Sequence, residues 1–283
     1  MPPFFTIITA TYNAASTLPR LLDSLASQTC RDFNWIVQDG ASADTTMQIV
    51  ARYQDDLPEI LADSTKDKGI YDAWNKAIDR WQNKLGAWVI FLGGDDILSD
   101  KDILAKIKFE IEHLPSIPDI ICTTVHMINN ENKIISSKYP QKNYPGSKYL
   151  QAGFLPACHT GMFFMRDLIK LYRFDPSYRI AGDYDFLQRT WNDSKVVYFD
   201  LATVFMGNAG VSSSPQNLAQ LRWEYMHIRT KYCPKSKYLT LIPCITKSLI
   251  LHIIVKFFGN TISNIIIKHI RTLAALLYKK CSL

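Results

Sequence analysis

What this sequence lacks narrows the field before what it holds. Among 283 residues there are six cysteines, Cys30, Cys122, Cys158, Cys233, Cys244 and Cys281, and no two form a CxxC pair. That scatter argues against a zinc site or a disulfide framework and fits reduced thiols in the cytosol. No GxGxxG follows the first apolar run and no GxxxxGK[ST] occurs anywhere, so neither a dinucleotide fold nor a P-loop finds support. No unbroken span of about 20 apolar residues is present, which disfavours a transmembrane helix. The start, "MPPFFTIITATYN", has no basic n-region, so no secretory signal is expected. Internal repeats and low-complexity segments are absent too.

The most telling shortage is of acid in the tail. From Lys231 to the end there are nine Lys and Arg and no Asp or Glu, whereas the first 230 residues carry 23 basic and 26 acidic groups. The formal charge of +6 is therefore wholly a property of the tail. A boundary is expected near residues 231–238, with one domain over 1–230 and an appendage over 231–283. Within the appendage, Lys247, His252, Lys256, Lys268, His269 and Arg271 interrupt runs of Ile, Leu and Phe. That pattern predicts two amphipathic helices lying on an anionic membrane surface, the competing reading being a helical pair that packs on the domain or forms a homodimer. Nucleic acid is not an expected partner, because the basic excess lies among aliphatic rather than stacking aromatic side chains.

What is present reads as an α/β domain. An apolar share of 47% argues for a globular chain. "FFTIITATYN", "FNWIVQDGAS" and "AWVIFL" are short β-rich runs of the kind buried on both faces of a parallel sheet. Between them Leu18, Leu21, Leu22 and Leu25 recur at helical spacing, with Ser16 as the expected cap and Pro19 in the first turn. Asp44 is the expected cap of a second helix. Ile70, Ala73, Trp74, Ala77, Ile78 and Trp81 form the apolar stripe of a third. Strand, helix, strand, helix, helix, strand predicts a mostly parallel sheet with crossover helices, and ligands at the carboxyl ends of its strands.

Polar residues gather at those ends. Tyr12 and Asn13 follow the first strand, Asp39 ends the second, and "FLGGDDIL" puts Asp95 and Asp96 side by side after the third. Turn statistics account for any one of these, but less well for all of them on one rim. Two adjacent carboxylates repel unless solvated or held by a cation. Mg²⁺ or Mn²⁺ bridging them to substrate phosphates is the expected arrangement, with Gly93 and Gly94 letting a bulky ligand approach the backbone.

In order, "TIITATYN", "VQDGASADTT", "DKGIYDAWNKAI", "FLGGDD", "CHTGMFFMR" and "AGDYDFLQR" resemble the signatures of family 2 inverting glycosyltransferases over residues 4–215. The resemblance implies the GT-A fold, with a nucleotide-binding half over 1–100 and an acceptor-side half over 101–230. It further implies transfer of a sugar, with inversion, from a nucleotide-sugar donor to a glycan or polyprenyl-linked acceptor in surface-polysaccharide synthesis. The enzyme would then work in the cytoplasm at the inner face of the cell membrane. By the same resemblance Thr11, Tyr12, Asn13 and Asp39 hold the nucleoside and Lys68 counters a phosphate. Asp95 and Asp96 hold ribose and metal, Asp96 being the expected direct ligand. The chain departs from the family's D-x-D-D form at Gly93. The family's general base maps to Asp183, since an inverting transfer needs one carboxylate to take the acceptor's proton. Asp185 reads better as a helix-capping group, and His159 is weighed between substrate contact and a structural place. Two other functions stay open at this level: a sugar nucleotidyltransferase, and a transferase-like binding protein without turnover.

Overall fold

A computed structural model describes residues 2–129, 131–142, 146–207 and 215–232. The chain divides into two compact units, Met1–Asn208 and Ala209–Leu283. In the first, a strand β1 (Phe5–Thr11) is followed by α1 (Leu18–Ala26), β2 (Phe33–Asp39), α2 (Thr46–Arg52), β3 (Ile60–Ser64), α3 (Ile70–Arg80) and β4 (Trp88–Gly93). Then come β5 (Ile97–Leu98), α4 (Ile103–Glu112), β6 (Ile120–Ile128), β7 (Ile134–Lys138), α5 (Gly146–Ala152), β8 (Met162–Met165), α6 (Arg166–Leu171), α7 (Gly182–Thr190) and β9 (Val196–Met206). The described part of the second unit is one helix, α8 (Pro215–Tyr232). The basic tail from residue 233 onward lies outside the described residues.

Among the described residues one mixed sheet runs in the order β3-β2-β1-β4-β8-β6-β9-β5, with β7 added to β6. Its first four strands are parallel, and β8 pairs antiparallel with β4. The parallel half is the predicted βαβ region; beyond it β8 also pairs antiparallel with β6, while β6 runs parallel to β9. Alternation along the buried strands serves two cores. Phe5, Ile7, Ile90 and Leu92 join Leu18, Leu21, Leu22 and Leu25 of α1, all but closed to solvent. On the other face, Phe91 of β4 meets Trp74 of α3, ring centroids 4.6 Å apart. Successive residues of a strand point to opposite faces, so a strand covered on both must be apolar throughout.

Four local expectations change. Residues 60–64 form a strand, where the sequence pattern ran helix to helix. On α3, Tyr71 is 4% exposed while Ile70 is 38% exposed, so the buried stripe begins one residue later than the spacing suggests. Helix α1 is capped at Thr17 rather than Ser16, with Pro19 in its first turn as foreseen. Asp44 stands one residue before the α2 cap, and its carboxylate accepts the Thr46 N–H at 3.0 Å.

Candidate active site at the strand ends

Strand register brings the rim together. Thr11 of β1 lies opposite Asp39 of β2, which lies opposite Ser64 of β3, and Gly93 of β4 lies one step back beside Ala10. Asp39 is closed to solvent. Its Oδ1 accepts the hydroxyls of Thr11 (2.8 Å) and Ser42 (2.5 Å), and its Oδ2 accepts the Ser42 N–H (2.8 Å) and the Ser64 hydroxyl (2.7 Å). A carboxylate offers about four acceptor positions, so the chain itself fills them all. Burial alone would raise the pKa of Asp39, but the bonds from Ser42, Ser64 and Thr11 outweigh it and hold the group below the ordinary carboxylate value. Asp39 thus clasps three strand ends, a role that the sequence pattern did not show.

The loops after β1 and β2 are sewn to each other. The Asn13 N–H donates to the Ser42 hydroxyl at 2.7 Å, and Asn13 Oδ1 accepts the Ala43 N–H at 2.9 Å. The Ala14 N–H donates to Thr46 Oγ1, and the Ala15 N–H to Asp44 Oδ2. Asn13 adopts φ 50°, a conformation that asparagine tolerates better than most residues. Tyr12 stands out from this rigid seam, 69% exposed. Lys68 is exposed in the turn before α3, its backbone N–H donating to Asp72 Oδ2 at 2.9 Å.

Asp95 and Asp96 differ sharply. Asp96 is 2% exposed, its Oδ2 accepting the Gly93 N–H at 2.6 Å while Oδ1 is buried without a partner. Burial first, and then the neighbouring Asp95 charge, push its pKa well up, against the Gly93 N–H. Asp95 is half-buried. A Cβ on Gly207 would sit 2.5 Å from its Oδ2, and one on Gly93 would sit 3.0 Å from its Oδ1. Glycine at 93 therefore makes room for the two carboxylates rather than for a ligand, and a β-carbon at 207 would fill the Asp95 cradle. No cluster of three or more candidate metal ligands occurs among the described residues. The donor set is two hard carboxylate oxygens, which suits Mg²⁺ or Mn²⁺ when substrate phosphates complete the shell.

Helix α7 brings Asp183 and Asp185. Asp185 is wholly buried, and its Oδ2 pairs with Arg189 at 2.8 Å, a residue that also donates to the Arg173 carbonyl. Asp183 retains partial exposure. Its Oδ1 accepts the Tyr184 N–H at 2.8 Å and lies 3.4 Å from the Tyr71 hydroxyl. Ring contacts from Phe91 of β4 to Trp74 and from Trp74 to Tyr71, which stands 3.4 Å from Asp183, join β4 to the start of α7, and Cys158 senses both. Burial lifts its thiol to about 11, bonds to Thr160 oppose this, and the charges of Asp96 and Asp183 both add to the rise.

His159 lies in a 3₁₀ turn, His159–Gly161, 6% exposed. Its ring stacks on Trp74 (5.2 Å, 14°) and borders Phe91, Phe164 and Phe174. Burial lowers the imidazole to about 3, so it is neutral at physiological pH. His159 Nε2 and Trp74 Nε1 are both buried without a partner. The aromatic layer beneath the site is thus where His159 resides. Sequence reasoning missed Ser42, Ser64, Tyr71 and Gly207: Ser42 lay inside a quoted motif, while Gly207 had no local signal.

Comparison with known proteins gives the family and the fold. Residues 6–172 match the family model for glycosyl transferase family 2. A PGL/p-HBAD biosynthesis glycosyltransferase of Mycobacterium bovis is 33% identical over 200 residues, covering 69% of this chain and 72% of that protein. Among solved structures, TarS 1-349 of S. aureus in complex with UDP-GlcNAc superposes with a TM-score of 0.62 at 19% identity, over 84% of this chain and 69% of that one. The mannosyltransferase PcManGT of Pyrobaculum calidifontis, in complex with GDP-Man and Mn²⁺, gives 0.54 at 18% identity, over 97% and 81%. These last two likenesses speak to the fold, which is GT-A. The family match spans the rim from β1 through β8, and with it the chain belongs to glycosyl transferase family 2 as a glycosyltransferase of polysaccharide or glycoconjugate biosynthesis.

Proposed function

We propose that the chain moves a sugar from a nucleoside-diphosphate donor to a hydroxyl of a glycan or polyprenyl-linked acceptor, with inversion, using Mg²⁺ or Mn²⁺. The observation that carries this reading is the Asp95–Asp96 pair. One carboxylate sits in a glycine cradle and the other holds a buried oxygen without a partner, within electrostatic reach of the same thiol as Asp183. A buried acceptor that lacks a donor costs stability unless something positive meets it.

The nucleoside lies along Thr11, Tyr12 and Asn13, with the exposed Tyr12 ring as the stacking surface for the base. Asp39 reaches the base through Oδ1 when the Ser42 hydroxyl turns away. Lys68 faces the diphosphate. Asp95 and Asp96 are the residues that would hold a divalent cation, which would supply positive charge to the leaving diphosphate. Asp183 takes the proton from the acceptor hydroxyl while that oxygen attacks the anomeric carbon. The carbon–oxygen bond to the diphosphate breaks on the opposite face, and the nucleoside diphosphate leaves with the electron pair. His159 and Trp74, stacked on each other, form the apolar floor beneath the donor sugar. Asp185 contributes through Arg189, by fixing α7. The catalytic domain is read as 1–230, and the basic tail of 231–283 as the part that meets an anionic membrane.

A panel of nucleotide-sugars, with UDP-GlcNAc and GDP-mannose included, tests this by thermal shift with and without Mn²⁺. Ligands that bind the native state raise its apparent stability by mass action. A donor whose stabilisation needs the metal is the expected result, and no shift with any donor would sink the reading. NMR of the product should show an inverted anomeric centre.

A further inference from the structure

We propose that Tyr71 is a positioning residue that ties the donor-side turn to the catalytic carboxylate Asp183. This rests on the reading of Asp183 as the base. Tyr71 is the second residue of α3, three residues after Lys68. Its hydroxyl donates to the Ile180 carbonyl at 2.6 Å, just ahead of α7, and stands 3.4 Å from Asp183 Oδ1. A hydroxyl has one proton to give, and the shorter distance assigns it to Ile180. The bond therefore fixes the backbone from which Asp183 projects, more than the carboxylate itself.

Packing makes the link stiff. Tyr71 is 4% exposed, stacked on Phe174 (5.7 Å, 24°) and edge-on to Trp74 (5.5 Å, 77°). Its ring also lies close to the first residue of α7, where a Cβ on Gly182 would come within 2.7 Å of two ring carbons. Glycine at 182 is what lets the ring and the helix start meet. A base displaced by even about 1 Å loses much of its efficiency, so a group that locks Ile180 through Asp183 against α3 governs turnover without touching substrate. The same residue joins the element that faces the donor diphosphate to the element that carries the base.

The test is a double-mutant cycle with Tyr71→Phe and Asp183→Asn in the full chain. It is read as nucleoside diphosphate release from UDP-GlcNAc and from GDP-mannose with Mn²⁺, water standing in for the acceptor hydroxyl. Donor Kd and Tm are measured alongside. Tyr71→Phe keeps the ring and should lower kcat about tenfold, a fraction of the range for general-base catalysis, with donor Kd unchanged. In the Asp183→Asn background the same change should have no further effect, because residues that act through one another are not additive. Gly182→Ala, which pushes on the ring, should also lower kcat. An equal drop in both backgrounds, or a fall in Tm with unchanged kcat for the folded enzyme, would make Tyr71 structural only and overturn the proposal. Full activity of the single Asp183→Asn variant would instead remove the base assignment on which it stands.

Discussion

At the scale of single residues, the two adjacent aspartates are chemically unequal, and that inequality is measurable. Asp96 is buried with one oxygen bound to Gly93 N–H; Asp95 is the accessible partner. Asp95→Asn should weaken metal-assisted donor binding while leaving Tm nearly unchanged. Asp96→Asn should weaken it as well but also alter stability, because it replaces a buried group whose like-charge neighbour already strains it. Calorimetric titration of Mn²⁺ with donor, beside thermal melts, separates the two, and undiminished turnover in EDTA would refute the metal. Asp39 makes a different prediction. Its folded pKa is depressed, so its contribution to stability is present above the unfolded value of about 3.9 and is lost as pH falls through the lower folded value. Asp39→Asn should flatten that acid limb in denaturation measured from pH 6 to pH 2. The rim was legible in the sequence because its residues terminate strands. Asp39's partners Thr11 and Ser64 were not, because cross-strand bonds depend on register between segments 28 and 25 residues apart.

At the scale of elements, periodicity read the deeply buried segments well and the marginal ones poorly. Strands β1, β2 and β4 announce themselves because both faces are covered. Strand β3 sits at the sheet edge with every residue half-buried or exposed, so no long buried apolar run marks it. On α3, the apolar stripe was right for Ala73, Trp74, Ala77 and Ile78, yet the first turn turns Tyr71 inward, where Ile180 just ahead of α7 and Gly182 at its start meet it. No helical wheel contains that partner, 109 residues away. The α1 stripe carries its own test. Leu22 is wholly buried in the core shared with Ile7 and Ile90, so Leu22→Ala should cost about 2–5 kcal/mol. Urea denaturation would show a lower midpoint at unchanged slope, and donor affinity of the folded fraction should hold.

At the scale of the whole molecule, charge is divided along the chain more sharply than structure is. The boundary between the two compact units falls between Asn208 and Ala209, whereas the last acidic residue is Glu224, midway along α8. No described helix is long and apolar enough to cross a membrane. The nine cationic side chains from Lys231 onward should draw the tail to a negative leaflet, each worth about 1 kcal/mol near the surface. The interleaved Ile, Leu and Phe would then enter the interfacial layer. A chain ending near residue 235 should lose pelleting with anionic vesicles of phosphatidylserine and phosphatidylcholine but still bind donor, because the rim residues all precede residue 210. The full chain should leave those vesicles only in part at high salt, since screening weakens the charge contribution and spares the apolar one. Equal pelleting with neutral and anionic vesicles at every salt would remove the electrostatic attraction. A truncated chain that cannot fold would instead make the tail part of the core or of a dimer interface, and acceptor delivery at a lipid surface would then need another anchor.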